Sequence, residues 1–317
     1  MQTILTESPE TAAGFLNRGE VVAFPTETVY GLGAAICHPE AVKKIFLAKG
    51  RPSDNPLIVH IRGKEDLPSV AGEISGFARK LIDRFFPGPL TLVFRKNPDV
   101  PDSVTAGLDT VGVRCPSHPV AQEFLRLACC PVAAPSANIS GLPSATSWET
   151  VHRDLDGRIS CILKGGPSDI GLESTIVDCS GQLPLLLRAG AITLEQLREV
   201  VPETRLAAPP DKKEPPKSPG LKYPHYAPSA AIVPCAPEES VPAVPCSAYI
   251  GIGEAPPGVE KAKLCRDLRE YARELFSFFR QCDDQNIRVI YCELPENHGL
   301  GRAIRDRILR AAGSYQC

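Results

Sequence analysis

The hydrophobic pattern from residue 3 to about residue 201 alternates short apolar runs with amphipathic segments. Residues 21–24 form an uninterrupted apolar run typical of a buried strand, whereas Ala41, Ile45 and Phe46 recur at the spacing of one helix face. Many short strands with unequal connections predict one large α/β domain with a twisted, mixed sheet. The predicted strands are residues 21–24, 57–61, 90–94, 111–114, 132–134, 161–163, 175–179 and 185–188, and the predicted helices are residues 9–17, 39–48, 74–86, 119–128 and 192–200.

The pattern changes at residue 202. Residues 202–228 hold eight prolines and a charged run but little apolar periodicity, which is the composition of a stiff, extended linker. We therefore predict a large domain at residues 3–201, a linker at 202–229 and a small α/β domain at 230–317. In the small domain we expect strands at residues 231–233, 248–250 and 288–292, a helix at 300–312, and a core-facing helical stripe made by Leu264, Leu268, Tyr271, Leu275 and Phe278.

Composition narrows the class of protein. A net charge of −2 argues against a broad basic face for nonspecific nucleic-acid binding. The first ten residues lack the basic start and apolar core of a secretion signal, and no apolar run approaches the roughly 18 residues of a membrane span. Twelve cysteines without a C-x-x-C pair indicate reduced thiols and a cytoplasmic location. Cys115 and His118 resemble half of a zinc site, but the other half is missing, so structural roles are favoured.

Polar side chains gather where the predicted strands end, which is where α/β proteins usually bind ligands. Lys49 and Arg51 flank a glycine, and Thr110 and Arg114 share one strand face because they are four residues apart. Further clusters are Ser136 with Asn138, residues 173–175, and Arg188. Taken singly, these features are equally consistent with a surface pair, a salt bridge or a helix cap. Together they predict an anion and nucleotide pocket.

No established nucleotide motif accompanies this pocket. The nearest approach to a P-loop, at residues 166–171, is followed by Leu172 where a lysine is required. Gly251 and Gly253 follow a predicted strand, but Pro256 replaces the third glycine of a dinucleotide fingerprint. The sequence also lacks a G-x-S-x-G elbow, so the usual covalent hydrolases are not expected.

Six motifs along the whole chain resemble the YrdC family in its long, two-domain form. They are PTETVYGLG, KGRP with NPLIVH, TVGVRCPSHP, APSANISG, LESTIVD and SPGLKYPHYAP, in that order. The resemblance implies a large YrdC-like catalytic domain with a twisted mixed sheet, plus a small Rossmann-like α/β C-terminal domain joined by a Pro-rich linker that acts as a lid. Two departures from the family pattern are Ala189, where the family usually has proline after Leu-Arg, and Ala145, where it often has proline after serine. The first departure is expected to loosen the loop beside Arg188.

The resemblance implies an activity: L-threonylcarbamoyladenylate synthesis from L-threonine, bicarbonate and ATP, with release of pyrophosphate. A downstream threonylcarbamoyl transferase then modifies the adenosine next to the anticodon in tRNAs that decode ANN codons. The implied cofactor is Mg²⁺, bound with ATP and not by protein side chains. The implied partners are these substrates, the transferase and, at most, a weak contact with tRNA, with no membrane association.

The same resemblance implies roles for individual residues, carried over by position. The catalytic tetrad of the K-x-R and S-x-N motifs corresponds to Lys49, Arg51, Ser136 and Asn138. Threonine-contacting positions correspond to Thr28, His60, Arg114, Ala134 (through its backbone) and Ser174. ATP-contacting positions correspond to Arg51, Asn55, Thr110, Ser136, Ser144 and Arg188, with either Tyr223 or Tyr226 from the linker. His60 is also a candidate base for the threonine amine, although a strand-end histidine more often orients a hydrogen bond.

Two other functions are open at this point. YrdC-like domains also occur in carbamoyltransferases that mature hydrogenases, but those proteins carry zinc-finger parts, and this chain has no C-x-x-C. A non-catalytic RNA-binding module is disfavoured by the near-neutral charge and leaves the K-x-R and S-x-N residues without a purpose. Threonine-dependent conversion of ATP to AMP and pyrophosphate separates these functions.

Overall fold

The computed structural model describes residues 2–208, 226–237 and 244–313. Its larger part is built on a mixed sheet of eleven strands in the order β1-β8-β2-β3-β7-β4-β6-β5-β9-β10-β11. The pair β4 and β6 is parallel, whereas β3 and β7 are antiparallel. The strands are β1 (Ile4–Thr6), β2 (Val22–Phe24), β3 (Gly31–Ala35), β4 (Ile58–His60), β5 (Leu90–Arg95), β6 (Thr110–Arg114), β7 (Val132–Ala134), β8 (Cys161–Leu163), β9 (Thr175–Asp178), β10 (Leu185–Arg188) and β11 (Arg205–Leu206).

Helices cover this sheet and bury its apolar faces. The largest core cluster includes Ile45 and Phe46 of the second helix, as their helical spacing predicted. The helices are α1 (Pro9–Asn17), α2 (Pro39–Lys49), α3 (Leu67–Val70), α4 (Gly76–Phe85), α5 (Asp102–Thr105), α6 (Pro119–Leu127), α7 (Trp148–Leu155) and α8 (Leu194–Val200). The prediction of a large α/β domain with a mixed sheet is confirmed.

The C-terminal part has its own parallel sheet, in the order β12-β15-β13-β14. Its elements are β12 (Ala231–Cys235), β13 (Ser247–Gly251), β14 (Lys261–Leu264), α9 (Leu268–Asp284), β15 (Val289–Glu293) and α10 (Gly299–Ala311). The predicted stripe on α9 is buried at Tyr271, Leu275 and Phe278, but Leu264 is not part of it. Leu264 lies in the edge strand β14 and is 55% exposed, because the helix begins only after Asp267, whose side chain caps it.

The Gly-Leu-Gly sequence at residues 31–33 predicts a turn after the strand at 21–24. This prediction is wrong, because these residues form the buried strand β3. The two glycines there are required by packing: a Cβ on Gly31 would lie 2.9 Å from the ring of Phe24, and one on Gly33 would lie 3.0 Å from it. The aromatic ring therefore packs directly on the backbone of the neighbouring strand. A glycine run inside a strand signals this kind of close approach as well as a turn.

Two ion pairs between buried side chains join the C-terminal part to the large sheet domain. Arg280 of α9 donates to both carboxylate oxygens of Asp154, at 3.0 and 2.7 Å. Arg307 of α10 donates from Nε to Glu173 at 2.8 Å. Within the described ranges, none of the helices combines the length and apolarity that a bilayer crossing requires.

Candidate active site

A small cavity lies where the loops after β2 and β7 meet the ends of β4, β6 and β10. Its volume is about 60 Å³, below the roughly 300–1,000 Å³ of ordinary ligand sites. Eleven of the residues singled out from the sequence line it: Thr28, Arg51, His60, Arg114, Ala134, Ser136, Asn138, Ser144, Ser174, Arg188 and Tyr226. Lys49, Asn55 and Thr110 lie outside this lining, and Tyr223 falls outside the described residues.

At one end of the cavity, the guanidinium of Arg114 is held by two residues of the loop after β2. Its Nη1 donates to Thr28 Oγ1 at 2.7 Å, and its Nη2 forms an ion pair with Glu27 at 2.7 Å. The sequence left open whether this arginine meets an anionic ligand or a structural partner, and the structure supplies a structural partner. Because Glu27 and Thr28 fix the orientation of the guanidinium, its planar fork is pre-organised for a second carboxylate from the cavity side.

His60, at the end of β4, is a neutral imidazole. Burial and the nearby charge of Arg114 lower its pKa to about 3. Its Nδ1–H donates to the backbone carbonyl of Ile58 at 3.2 Å, and its ring meets Phe24 edge to face. A group with so low a pKa is a poor proton acceptor at neutral pH. This geometry favours the orienting role for His60 over the role of base.

Lys49 lies beneath the loop that carries Ser136 and Asn138. Helix α2 ends at this lysine, and Gly50 follows in the left-handed conformation at φ 61°. The Nζ of Lys49 donates to the backbone carbonyls of Ser136 and Asn138, each at 2.5 Å. Burial, reinforced by the charge of Arg51, lowers the pKa of Lys49 well below its usual value, while the surrounding carbonyl oxygens favour the ammonium form. Lys49 therefore fixes the position of the loop from below the cavity.

Ser136 and Asn138 do not cap a helix, which was their plainer interpretation. The next helix, α7, is capped by Ser147 instead. The hydroxyl of Ser136 donates to Asn138 Oδ1 at 2.6 Å, and Asn138 Nδ2 donates to the carbonyl of Leu142 at 2.9 Å. These bonds hold both polar side chains at the cavity wall.

Two further guanidinium groups, those of Arg51 and Arg188, line the cavity. Arg51 donates to the carbonyl of Pro56 at 3.1 Å, and although burial lowers its pKa to about 10, it stays charged at neutral pH. Arg188 donates to the carbonyl and the hydroxyl of Ser174, at 3.1 and 3.2 Å. Asn55 follows Arg51 by four residues. Its side-chain amide is buried and makes no hydrogen bond with any residue that the structure describes. An anion in the cavity would therefore meet two cationic side chains and several polar atoms that make no hydrogen bond with the described residues.

Sequence reasoning included Glu173 in a polar cluster without giving it a role, and it missed its partner Arg307. Glu173 lines the cavity, accepts a short hydrogen bond from the Ser144 hydroxyl and pairs with Arg307. Burial raises its pKa, but the charges of Arg307 and Arg188 together hold it below the usual value. The sequence does contain a signal for each residue: Glu173 is a charged residue within an apolar stretch, and Arg307 is a charged residue on an apolar helix face. A charged side chain in such a position is expected to be paired.

Arg307 also connects the C-terminal part to Tyr226. Its guanidinium lies 5.4 Å above the Tyr226 ring, and that ring stacks on Phe276 of α9 at 5.2 Å. Its Nη2 donates to the carbonyl of Ala189 at 3.1 Å, so the loop after Arg188 is held although it lacks the family's proline. The C-terminal part thus closes one side of the cavity through Tyr226.

Two other sequence features carry no site. The backbone N–H groups of Ile252 and Gly253 donate to Glu293 Oε2, at 2.9 and 2.7 Å, so a carboxylate already fills the glycine turn after β13. Cys115 and His118 do not join any group of three metal-ligating side chains among the described residues.

Comparison with known proteins matches both parts of the chain. A family model described as telomere recombination, for the Sua5, YciO and YrdC proteins, matches residues 14–190. A second model, described as threonylcarbamoyl-AMP synthase, C-terminal domain, matches residues 192–313. The chain belongs to the Sua5 family. The resemblance inferred from the motifs is thereby confirmed, and Sua5 enzymes are transferases of the nucleotidyltransferase type.

Relatives of full length support this membership. The threonylcarbamoyl-AMP synthases of Pyrococcus abyssi and Bacillus subtilis are each 44% identical to the chain, over 95% and 97% of it and 93% and 94% of their own lengths. The crystal structure of P. abyssi Sua5 complexed with L-threonine superposes with a TM-score of 0.90 at 41% identity, covering 98% of this chain and 97% of that one. Escherichia coli YciO, at 23% identity and a TM-score of 0.52, covers 60% of this chain and shares the fold alone.

Proposed function

We propose that this Sua5 protein makes threonylcarbamoyl-AMP and pyrophosphate from L-threonine, bicarbonate and ATP. The observation that carries the proposal is one cavity lined by three guanidinium groups: Arg114, which Glu27 and Thr28 orient, and Arg51 and Arg188. A carboxylate and a chain of phosphates are the two anionic parts that an amino acid and a nucleotide bring to a shared site. The L-threonine complex of the P. abyssi protein supports the assignment of the amino acid.

In the proposed reaction, threonine binds through its carboxylate to Arg114. The amine adds to the carbon of bicarbonate and water leaves, which gives an N-carboxylate. An oxygen of this carboxylate then attacks the α-phosphorus of ATP, the bond to the bridging oxygen breaks, and pyrophosphate departs with the bonding electrons. Both reactants of the second step are anions, so the barrier is mainly repulsion and orientation.

The residues of the cavity suit this chemistry without a protein nucleophile. Arg51 and Arg188 would neutralise the phosphates, and the Ser136 hydroxyl would donate to them once it turns away from Asn138 Oδ1. Asn138, whose amide donates to the carbonyls of Ile139 and Leu142, would hold this part of the wall in place. We assign Lys49 a positioning role, because its ammonium group contacts the carbonyls of the Ser136 loop and not the cavity. Thr28 and Ser174 are candidates for contacts with the side chain or amine of threonine.

Some of the proposed roles rest on position alone. The Ala134 backbone and His60, which both line the cavity, would border threonine. Asn55 and Thr110, which lie outside the lining, are proposed for ATP because they match the family's pattern, and the unpartnered amide of Asn55 is consistent with that role. Ser144, held by Glu173, would contact ATP from the opposite wall.

We also propose that Mg²⁺ enters with ATP. Among the described residues that line the cavity, Glu173 carries the only carboxylate, and its oxygens are engaged by Ser144 and Arg307. The donor set therefore fits a metal held by phosphate oxygens and water, not by a carboxylate cage. When bound there, Mg²⁺ would share the negative charge of the departing pyrophosphate.

Tyr226 would protect the product from water. Threonylcarbamoyl-AMP is a mixed anhydride and hydrolyses readily, and the cavity beneath Tyr226 is small and enclosed by the C-terminal part. ATP needs more room than about 60 Å³, so we propose that Tyr226 withdraws to admit it. Residues 209–225 of the linker, for which the resemblance implies the role of a lid, lie outside the described residues. Downstream, a separate transferase would pass the threonylcarbamoyl group to tRNA in the cytoplasm, consistent with the eleven free thiols that the structure describes.

Measurement of pyrophosphate release under substrate omission tests the proposed function. Release should require L-threonine, bicarbonate and ATP together, and mass spectrometry should detect threonylcarbamoyl-AMP. Release that proceeds without threonine, or that requires carbamoyl phosphate in place of bicarbonate, would support the carbamoyltransferase alternative. Absence of any release by folded protein would support a binding module.

A further inference from the structure

Three metal-ligating side chains meet at the end of β3 and β7 that lies away from the cavity. The Sγ atoms of Cys37 and Cys129 and a ring nitrogen of His38 all lie within 4.8 Å of one another. Within the described part of the chain, no other cysteine, histidine or acidic side chains form such a group of three. The residues come from two separate segments, because Cys37 and His38 follow β3, whereas Cys129 precedes β7.

The distances suit a tetrahedral zinc ion. The two sulfur atoms are 3.5 Å apart. Two thiolates bound to Zn²⁺ at about 2.3 Å, with a tetrahedral angle between them, are separated by roughly 3.8 Å. A shift of a few tenths of an ångström therefore creates the coordination geometry, whereas a disulfide requires the sulfurs to approach to about 2.05 Å.

Asn17 supports the group in the way that outer residues support metal ligands. The carbonyl oxygen of Asn17 can only accept, so the contact of 3.1 Å from His38 Nε2 makes Nε2–H the donor and leaves the lone pair on Nδ1. Histidine ligands usually donate their second N–H to a carbonyl in this manner. The side chain of Asn17 also accepts from the backbone N–H of Cys129 at 2.9 Å, so one residue orients ligands of both segments.

A fourth position is available beside the three ligands. The Sγ of Cys130 lies 3.2 Å from the backbone nitrogen of Cys37, which donates to it. The Cys130 sulfur is thereby placed to act as a fourth ligand or to support one of the other three. Cys37 and Cys129 are exposed, so a metal ion and a chelator can both reach the group.

We propose that Cys37, His38 and Cys129 form a zinc-binding site, with Cys130 or water in the fourth position. The site joins the start of α2 to the segment before β7. Helix α2 ends at Lys49, and β7 leads into the loop of Ser136 that Lys49 holds. The zinc ion is thus structural: it clamps the two elements that position the cavity wall, and it takes no part in the chemistry.

The test compares zinc binding by the intact chain with binding by two single substitutions and a matched control. Cys37→Ser and Cys129→Ser each remove one ligand, and Cys246→Ser removes a thiol of the C-terminal part. The chain and the Cys246→Ser control should retain about one zinc per molecule after gel filtration, and each ligand variant should lose at least about tenfold in zinc affinity. Replacement of the zinc ion by Co²⁺ should produce thiolate charge-transfer absorption in the intact chain. This measurement uses only the intact chain, so it does not depend on whether the variants fold.

Three results would overturn the site. One is an intact chain that takes up no stoichiometric zinc and shows no thiolate band with Co²⁺. Another is zinc affinity in Cys37→Ser and Cys129→Ser equal to that of Cys246→Ser. The third is a disulfide between Cys37 and Cys129, detected by mass spectrometry in protein that was purified in the presence of zinc but contains no metal. This result would replace the metal site with a redox pair. None of these readouts depends on enzymatic activity, so they are independent of the proposed function.

Discussion

Substitution of Arg307 by alanine tests how the C-terminal part completes the cavity. Arg307 is fully buried, pairs with Glu173 at 2.8 Å, donates to Ala189 and covers the ring of Tyr226. Removing it leaves Glu173 buried without its main counter-charge. We expect lower stability and weaker use of ATP, because Glu173 holds Ser144 in the cavity wall and Arg307 packs against Tyr226.

The magnitude follows from the burial of the pair. Breaking a buried ion pair by removing one partner costs about 3–5 kcal/mol. At roughly 2 °C per kcal/mol for a large chain, the melting temperature should fall by about 6–10 °C at neutral pH. This loss exceeds the value of about 0–1 kcal/mol for an exposed pair.

The pH dependence of the loss is more diagnostic than its size. In the intact chain the pKa of Glu173 is held below its usual value, so its stabilising contribution is present above the unfolded pKa and is lost as the pH falls through the folded one. Without Arg307, burial raises this pKa against the remaining opposition of Arg188 and the Ser144 hydrogen bond, so we expect the pKa of Glu173 to rise. The variant then favours protonated Glu173, and its stability deficit relative to the intact chain should grow as the pH rises from about 5 to 8.

The assay is thermal unfolding across this pH range, together with pyrophosphate release at varied ATP. Arg305→Ala is the matched control, because it removes from the same helix a guanidinium that donates to the backbone carbonyl of Pro295. The control should lose little stability and keep its dependence on ATP. A deficit for Arg307→Ala that is the same at pH 5 and pH 8, or no larger than that of Arg305→Ala, would refute the reasoning.

Four further predictions concern the cavity itself. Arg51→Ala should cut pyrophosphate release several hundredfold, about 2.7–4 kcal/mol of lost charge stabilisation. Lys49→Ala should cut release to a similar extent because the Ser136 loop loses its support, and near-normal release by either variant would contradict the proposal. Arg114→Lys should raise the KM for threonine with little change in the KM for ATP, since a lysine cannot make the bidentate contact; equal effects on both constants would count against the assignment of Arg114 to the threonine carboxylate. The pH–rate profile between pH 6 and 8 should show no inflection from His60, because the pKa of this residue is lowered to about 3. The substitution His60→Gln should therefore leave the shape of the profile unchanged. An inflection that is present in the intact chain and lost in this variant would make His60 the base. Tyr226→Ala should uncouple ATP consumption from product, seen as more AMP than threonylcarbamoyl-AMP, and unchanged coupling would remove its shielding role.

The sequence predicted the strands that have clear apolar runs and failed where packing decided the conformation. Residues 132–134, 161–163 and 185–188 form strands with the predicted bounds, because each run is apolar and short. Strand β3 was predicted as a turn because of its glycines, which are there to admit Phe24. Strand β1 was missed because Ile4 and Leu5 lie at the sheet edge, about 40% exposed.

The residues of the candidate site likewise fall into those that local sequence motifs predict and those that only the tertiary structure brings together. Residues near strand ends could be selected from local motifs, and most of them line one cavity. Glu173 and Arg307 could not be paired from sequence, because the partners are 134 residues apart and in different domains. The group of Cys37, His38 and Cys129 escaped for the same reason, since only the pairing of β3 with β7 brings its two segments together.

Lys49 shows a further limit of motif reasoning. The K-x-R pattern suggested two cations facing one ligand, but the two side chains point to different surroundings. Arg51 lines the cavity, whereas Lys49 contacts the backbone of the Ser136 loop. A motif identifies residue types that act together, and only the structure separates contact with the ligand from support of the wall.

The central claim is that one cavity receives the threonine carboxylate at Arg114 and the phosphates of ATP at Arg51 and Arg188. A crystal structure of the chain with L-threonine and a non-hydrolysable ATP analogue tests it most directly. We predict the carboxylate within hydrogen-bonding distance of the Arg114 guanidinium, and the triphosphate in contact with Arg51 and Arg188. Threonine bound elsewhere, or a nucleotide whose phosphates contact neither Arg51 nor Arg188, would contradict the account.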